Sequence, residues 1–207
     1  MNETCSMVFV VDHDDDMRGA LARPLRSAGY RVEAYDCADT FLGYADLAHC
    51  PACALLDLQL PERSGLTVQR KLHATLPIIF ISGHRDVSAV VEAMKDGATD
   101  FLLKPVRDSL LLDATGRALE RSRRMLESRR ELADIQHRAS RLTPREREVM
   151  TLVVAGCLNK QVASELGTAE KTIKIHRARV MEKMKAKSLP ELVRLADKVF
   201  ADTDRVS

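Results

Sequence analysis

In the first half of the chain, short apolar runs alternate with stretches in which apolar residues recur every three or four positions. Met7–Val11, Ala54–Leu56 and Ile78–Ile81 are hydrophobic on both faces, as strands of a sheet covered on both sides must be. Arg31–Tyr35 and Asp100–Leu103 read as two more strands. Met17, Ala20, Leu21, Pro24, Leu25 and Ala28 recur roughly at helical spacing as far as a stop at Gly29. Further helices are predicted over 38–45, 64–75 and 86–96, the last closing on Gly97, and another after Pro105. Five strands alternating with five helices predict a doubly wound parallel α/β sheet.

The second half carries a helical period only. From Val106 to about Arg141 only Gly116 interrupts a run free of glycine and proline, and Leu111-Leu112, Ala118-Leu119, Met125-Leu126 and Leu132-Ala133 recur every seven residues. This predicts a long helix, coil-like in its later part, with Thr115, Ser122 and Arg129 where apolar residues would complete the seam. A solvated connector and a dimerising helix are equally open. Thr143-Pro144-Arg145-Glu146 combines a capping box with proline at the first helical position. A short second helix capped by Asn159 follows, ending at Gly167, then a third from a Thr168 cap to about Lys185, and a last one opened by Ser188 and Glu191. Two short helices joined by a tight glycine-containing turn read as a helix-turn-helix. The predicted domains are 1–120, a helical linker at 121–140, and 141–207.

Composition narrows the class. With 207 residues, 45% hydrophobic and 30% charged, the chain reads as one or two soluble domains. No apolar run approaches the ~18 residues of a membrane span. Met1–Ser6 lack a signal-peptide pattern, so a cytoplasmic location is expected. Five cysteines fit a reducing compartment. Cys50 and Cys53 form a lone CxxC that precedes a strand and has no second ligand pair, so packing is expected there and not a metal or redox centre. The net charge of +2 conceals a division. Residues 1–105 hold 10 Lys/Arg and 15 Asp/Glu, giving −5, while 106–207 hold 22 and 15, giving +7. A polyanionic partner for the basic half follows.

The strand ends carry the chemistry. Asp12, Asp57, Ser82 and Lys104 each follow or close a strand, at the edge where α/β sheets bind ligands. Carboxylates gathered on one rim repel unless a cation joins them, and Mg²⁺ suits oxygen donors. A hydroxyl and an ammonium opposite can hold phosphoryl oxygens. Val10-Val11-Asp12, Leu56-Asp57 with Pro61 and Ser64-Gly65, Ile81-Ser82-Gly83-His84 and Phe101-Leu102-Leu103-Lys104-Pro105 closely resemble a response-regulator receiver domain, a flavodoxin-like fold, over residues 6–120. The resemblance implies that Asp57 is phosphorylated by a sensor histidine kinase. It further implies that Asp12, Asp57 and the Gln59 carbonyl hold Mg²⁺, that Ser82 and Lys104 grip the phosphoryl group, and that Phe101 is the aromatic switch. The Lys104-Pro105 bond is expected to be cis. One departure stands out. The family has two consecutive acids after the first strand, and here the second is His13. Imidazole is a poor partner for Mg²⁺, so weakened metal binding and slower or absent phosphorylation are expected, with Asp14 or Asp15 as the nearest substitutes; a tolerated substitution in a working receiver is the other reading. A haloacid-dehalogenase-type phosphatase would need an acid two residues after Asp57, where Gln59 stands.

In the second half, Ile173, Val180 and Met184 share one face of the third helix, and Lys171, Lys174, Ile175, Ala178 and Arg179 share the other. Residues 141–188 carry 11 basic and 5 acidic side chains, net +6, as DNA phosphates require. Ile175 among cations suits a thymine methyl in the major groove. Leu142-Thr143-Pro144-Arg145-Glu146-Arg147-Glu148-Val149, Asn159-Lys160 and Glu170-Lys171-Thr172-Ile173-Lys174-Ile175-His176 resemble the LuxR-type DNA-binding domain over 138–202. The resemblance implies that Lys174, Ile175 and Ala178 face bases, and that Asn159, Lys160, Lys171, Thr172, Arg179 and Lys183 touch the backbone. His176 is expected to pack or to support the backbone. The whole chain resembles the NarL/FixJ family. Its long linker, with Arg26-Ser27-Ala28-Gly29 and Asp36-Cys37, points to the FixJ-like branch that includes the StyR/TodT regulators. This implies a two-component transcription factor and not an enzyme, with promoter DNA, RNA polymerase and a second copy as partners. An alternative is an atypical regulator that binds DNA without phosphorylation, because of His13.

Overall fold

The computed structural model describes residues 6–45, 50–61, 64–72, 75–83 and 87–203. Met1–Cys5, His49, His84 and Asp86, which entered the sequence reading, lie outside these residues. Two compact units are present, Met1–Glu127 and Ser128–Ser207.

The first unit is built on β1 (Met7–Val11), β2 (Arg31–Tyr35), β3 (Ala52–Asp57), β4 (Ile78–Ser82) and β5 (Asp100–Leu103), in the order β2-β1-β3-β4-β5 and all parallel. Helices α1 (Asp15–Ser27), α2 (Ala38–Tyr44), α3 (Gly65–Leu72), α4 (Val87–Lys95) and α5 (Asp108–Ser140) intervene or follow. This is the fold expected from the alternating pattern. The strand period of two separates two cores. Phe9, Val11, Leu56, Ile78 and Phe80 pack with residues of α2, α3 and α4. Val8, Val10, Leu55, Ile79 and Ile81 pack with Leu21 and Leu25 of α1 and with Leu111, Ala114, Ala118 and Leu119 of α5. Every residue of β1, β3 and β4 is buried, which fixes these strands at the centre of the sheet. Cys53 lies in that core, and burial pushes its thiol up to about 12, so it is no thiolate at neutral pH.

The first two heptad pairs of α5 serve the sheet, which Leu111, Ala118 and Leu119 cover, whereas the core of the second unit takes Ile135 and Ala139, which lie outside the pairs, from the same helix. Arg129 is exposed, but the other two polar residues of the seam are inside: Thr115 is buried, and buried Ser122 accepts a hydrogen bond from the Ala52 N–H at 3.0 Å. They are polar positions of a core-facing stripe, which the heptad reading could not show.

In the second unit, α6 (Pro144–Val154), α7 (Asn159–Glu165), α8 (Glu170–Met184) and α9 (Leu189–Thr203) enclose Val149, Met150, Val153, Val162, Ile173, Val180, Met184 and Leu192. The capping box of α6 is present, with Thr143 Oγ1 accepting from the Glu146 N–H at 3.3 Å and Glu146 Oε2 accepting from the Thr143 N–H at 2.9 Å. Two other expected caps are displaced. Leu158 is the N-cap of α7, with its N–H donating to Gln161 Oε1 at 2.7 Å, and Asn159 is already helical. Ala169, not Thr168, is the N-cap of α8. The shifts run in opposite directions, with α7 capped one residue before Asn159 and α8 one residue after Thr168. At α9, Ser188 Oγ accepts from the Glu191 N–H, but Glu191 reaches past it to the Lys187 N–H.

Glu146 is 2% exposed and receives Lys183 Nζ at 2.6 Å, which pins α8 to the start of α6. Burial alone would raise its carboxyl, but the hydrogen bonds of Lys183 and Thr143 outweigh it and the pKa lies below the ordinary value. A depressed acid contributes stability above its unfolded pKa, about 4.3, and loses it as pH falls through the folded one. Lys183→Met should therefore lower unfolding free energy at pH 7 by on the order of 2 kcal/mol, with the deficit shrinking below pH ~4. An equal deficit at both pH values in chemical denaturation would contradict the pairing. At the start of α3, a Cβ on Gly65 would lie 2.7 Å from the Asp57 carbonyl oxygen and 2.9 Å from Phe80 Cε1. Gly65→Ala should destabilise the first unit by about 1–3 kcal/mol, and an unchanged thermal midpoint would refute the close approach.

Candidate functional site

The register of the sheet assembles the site. Val11 pairs with Leu56, so their successors Asp12 and Asp57 are neighbours, and this happens where the strand order reverses between β1 and β3. Ser82 pairs with Leu103, and the Lys104 N–H donates to the Ser82 carbonyl at 2.9 Å. The four residues predicted from strand ends thus meet on one edge. The Lys104–Pro105 bond is cis.

Asp12 and Asp57 are 1% and 4% exposed. Lys104 Nζ donates to Asp12 Oδ2 at 2.7 Å and to Asp57 Oδ2 at 3.0 Å. Burial works against the ammonium, yet the two carboxylates outweigh it, and the Lys104 pKa is raised. The other oxygen of each acid is held by backbone: Asp57 Oδ1 by the Gln59 N–H and Asp12 Oδ1 by the Asp14 N–H, both at 3.0 Å. The carboxylates are oriented before any ligand arrives. Gln59 is exposed, and its loop is closed by a bridge to Ser64. Ser82 is buried on the same edge, and Phe101 is half-buried with its ring 6.4 Å from that of Phe80.

His13 Nδ1 stands 3.7 Å from Asp12 Oδ1 and 3.5 Å from Asp57 Oδ2. The three side chains bring one ligand atom each within 4.8 Å of one another. Two buried carboxylates against one ammonium leave a negative charge, so the oxygen donors fit a divalent cation, as receiver domains bind Mg²⁺. The imidazole does not fit Mg²⁺. Asp14 and Asp15 do not replace the missing acid. Asp14 caps α1 by accepting from the Asp16 and Met17 N–H groups, and Asp15 pairs with Arg18 at 2.8 Å. Sequence reasoning missed Arg18, whose Nη1 donates to the Asp12 carbonyl at 2.7 Å, and the close approach at Gly65. The two residues are six and eight positions from Asp12 and Asp57, and no helical or strand period links either to its acid.

On the second unit, α8 buries Ile173, Val180 and Met184 and exposes Lys171, Lys174, Ile175, Ala178 and Arg179. Ile175 is 47% exposed, a large apolar side chain among cations. Lys160 is exposed on α7 and Thr172 is half-buried. Lys174 stands 3.2 Å from Glu170 one turn back. Asn159 Oδ1 accepts from Arg177 at 3.1 Å, a partnership that the sequence reading did not contain although Arg177 lies one turn after Ile173. Lys183 differs from the other cations in giving its ammonium to Glu146 and to the Arg141 carbonyl at 3.2 Å. His176 is half-buried.

Residues 8–115 match the model of the response regulator receiver domain, and residues 140–196 match that of the bacterial regulatory proteins of the luxR family. Nodulation protein W of Bradyrhizobium diazoefficiens is 46% identical over 197 residues, covering 94% of this chain and 86% of its own. The transcriptional regulatory protein FixJ of Rhizobium meliloti is 40% identical over 193 residues, 91% of this chain and 94% of its own. A low-resolution structure of the response regulator StyR aligns with TM-score 0.80 and 41% identity over 94% of this chain and 99% of that one. With a receiver fold, an acidic edge and a luxR-type helical domain in one chain, the protein belongs to the FixJ-like branch of the two-component response regulators, a family of transcription regulators.

Proposed function

We propose that this protein is a transcription factor controlled by phosphorylation of Asp57 by a sensor histidine kinase, acting in the cytoplasm. The observation that carries the reading is a buried, pre-oriented Asp57 carboxylate 3.0 Å from the Lys104 ammonium. An Asp57 oxygen attacks the phosphorus of a phosphohistidine. The new P–O bond forms as the P–N bond breaks, and the electron pair returns to the kinase imidazole with a proton. Lys104 balances the charge of the incoming phosphoryl group, and the Ser82 hydroxyl donates to it. Asp12, Asp57 and the Gln59 carbonyl would hold the divalent cation, which supplies further charge neutralisation when bound.

The phosphoryl group changes the contacts available to Ser82, and the half-buried Phe101 ring on the neighbouring strand follows. Such contacts bias a conformational equilibrium only because they differ between its two states. The output is homodimerisation and promoter binding through α8, followed by recruitment of RNA polymerase. Lys174, Ile175 and Ala178 face bases, and Asn159, Lys160, Lys171, Thr172 and Arg179 engage phosphates. Lys183 completes the set only if Glu146 shares it. A second reading, in which DNA is bound without phosphorylation, is favoured by one feature: the imidazole of His13 where an acid would complete the metal shell.

Incubation with a small-molecule phosphodonor and Mg²⁺ should give one acyl phosphate in the intact mass, absent in Asp57→Ala and formed faster in His13→Asp. Equal rates for His13→Asp and wild type would remove the penalty assigned to the imidazole. On duplexes selected from a random library by the full chain, Ile175→Ala should cost about 1–2 kcal/mol and relax preference at one base pair. Lys160→Ala should weaken all sequences alike and lower the salt slope by about one. A base-specific loss in Lys160→Ala would reassign that residue.

A further inference from the structure

His13 is the one member of the acidic edge for which phosphotransfer gives no role. Its imidazole is not used to start α1, because Asp14 caps that helix. Its Nδ1 lies 3.5 and 3.7 Å from carboxylate oxygens, too long for a hydrogen bond to either, yet it faces both. The ring is half exposed while its two neighbours are buried, so it stands at the mouth of the pocket.

We propose that this pocket takes a first-row transition-metal dication, of the Mn²⁺ to Zn²⁺ class, in preference to Mg²⁺, with His13 Nδ1 as a ligand beside Asp12 and Asp57. The proposal rests on reading this edge as the phosphorylation site and names the cation that serves it. Mg²⁺ demands oxygen donors and near-ideal octahedral geometry, whereas imidazole is a common ligand of zinc, iron, cobalt and nickel. The N···O separations of 3.5 and 3.7 Å place all three groups within reach of one ion. Charge supplies the drive, since Lys104 neutralises only one of the two carboxylates it touches. The replacement of an acid by His13 is thus a change of metal, and not simply a loss of one.

The test uses the full chain as wild type, His13→Ala and His13→Asp. Co²⁺ binding is followed by its visible absorption, and Mg²⁺ binding by calorimetry. Any site of this kind prefers Co²⁺ to Mg²⁺, so the quantity that matters is how the ratio of the two affinities depends on residue 13. His13→Ala should weaken Co²⁺ by about tenfold or more and leave Mg²⁺ nearly unchanged. His13→Asp should tighten Mg²⁺ and reduce the ratio by at least as much. A ratio equal in all three proteins would overturn the proposal. So would a Co²⁺ spectrum carrying thiolate charge-transfer bands, which would put the ion on cysteine. Acyl phosphate at Asp57 is measured on the same samples with each cation. If it forms but the ratio ignores residue 13, the metal assignment alone falls. If the ratio follows residue 13 but no cation supports acyl phosphate, the phospho-acceptor reading falls and the metal site stands.

Discussion

Two carboxylates, Asp12 and Asp57, are forced side by side at a buried sheet edge, with one ammonium between them. The parallel register of β1 and β3 leaves no choice, since Val11 opposite Leu56 delivers the next residue of each strand to the same place. Two like charges so close and so poorly hydrated are costly, and Lys104 offsets only part of that cost. The remaining negative charge suits the edge to a cation. In the proposed function the same oriented oxygen atoms of Asp57 act as the nucleophile, and the proposed choice of metal follows from the same local imbalance.

The other half of the molecule solves a different problem with similar means. A reading helix must be held rigidly while most of its cations remain in solvent. Ile173, Val180 and Met184 seat α8 in the core, and Lys183 is diverted inward to the buried Glu146. Its ammonium ties the end of α8 to the start of α6. The exposed Ile175 is left on the outer face because water is not its final environment in this reading.

Much of this was legible in the sequence because it is written in local patterns. Apolar runs without a polar face announced β1, β3 and β4, and hence which residues end at the shared edge. The Thr143–Glu146 capping box and the core face of α8 were equally direct. What escaped depends on partners far along the chain. Ser122 and Ala52 are 70 residues apart, and Lys183 and Glu146 are 37 apart, so neither pair leaves a periodic trace. Ser122 looked like a flaw in a heptad seam because its partner is a strand end. Asn159 and Thr168 looked like caps because their chemistry is right, but the turns before α7 and α8 place Leu158 and Ala169 at the boundary. His13 was visible as a departure, while the direction in which its ring faces is set by the packing of β1 against β3.

The link between the two halves is the central claim, and DNA affinity on either side of one covalent change tests it most directly. The dissociation constant of the full chain for a library-selected duplex is measured at fixed salt, before and after acylphosphorylation, in wild type and Asp57→Ala. Phosphorylated wild type should bind at least about fivefold tighter than the unmodified chain, a coupling of about 1 kcal/mol, with no change for Asp57→Ala. Equal affinity in all four states, with Asp57 shown to be phosphorylated, would contradict a phosphorylation-controlled regulator.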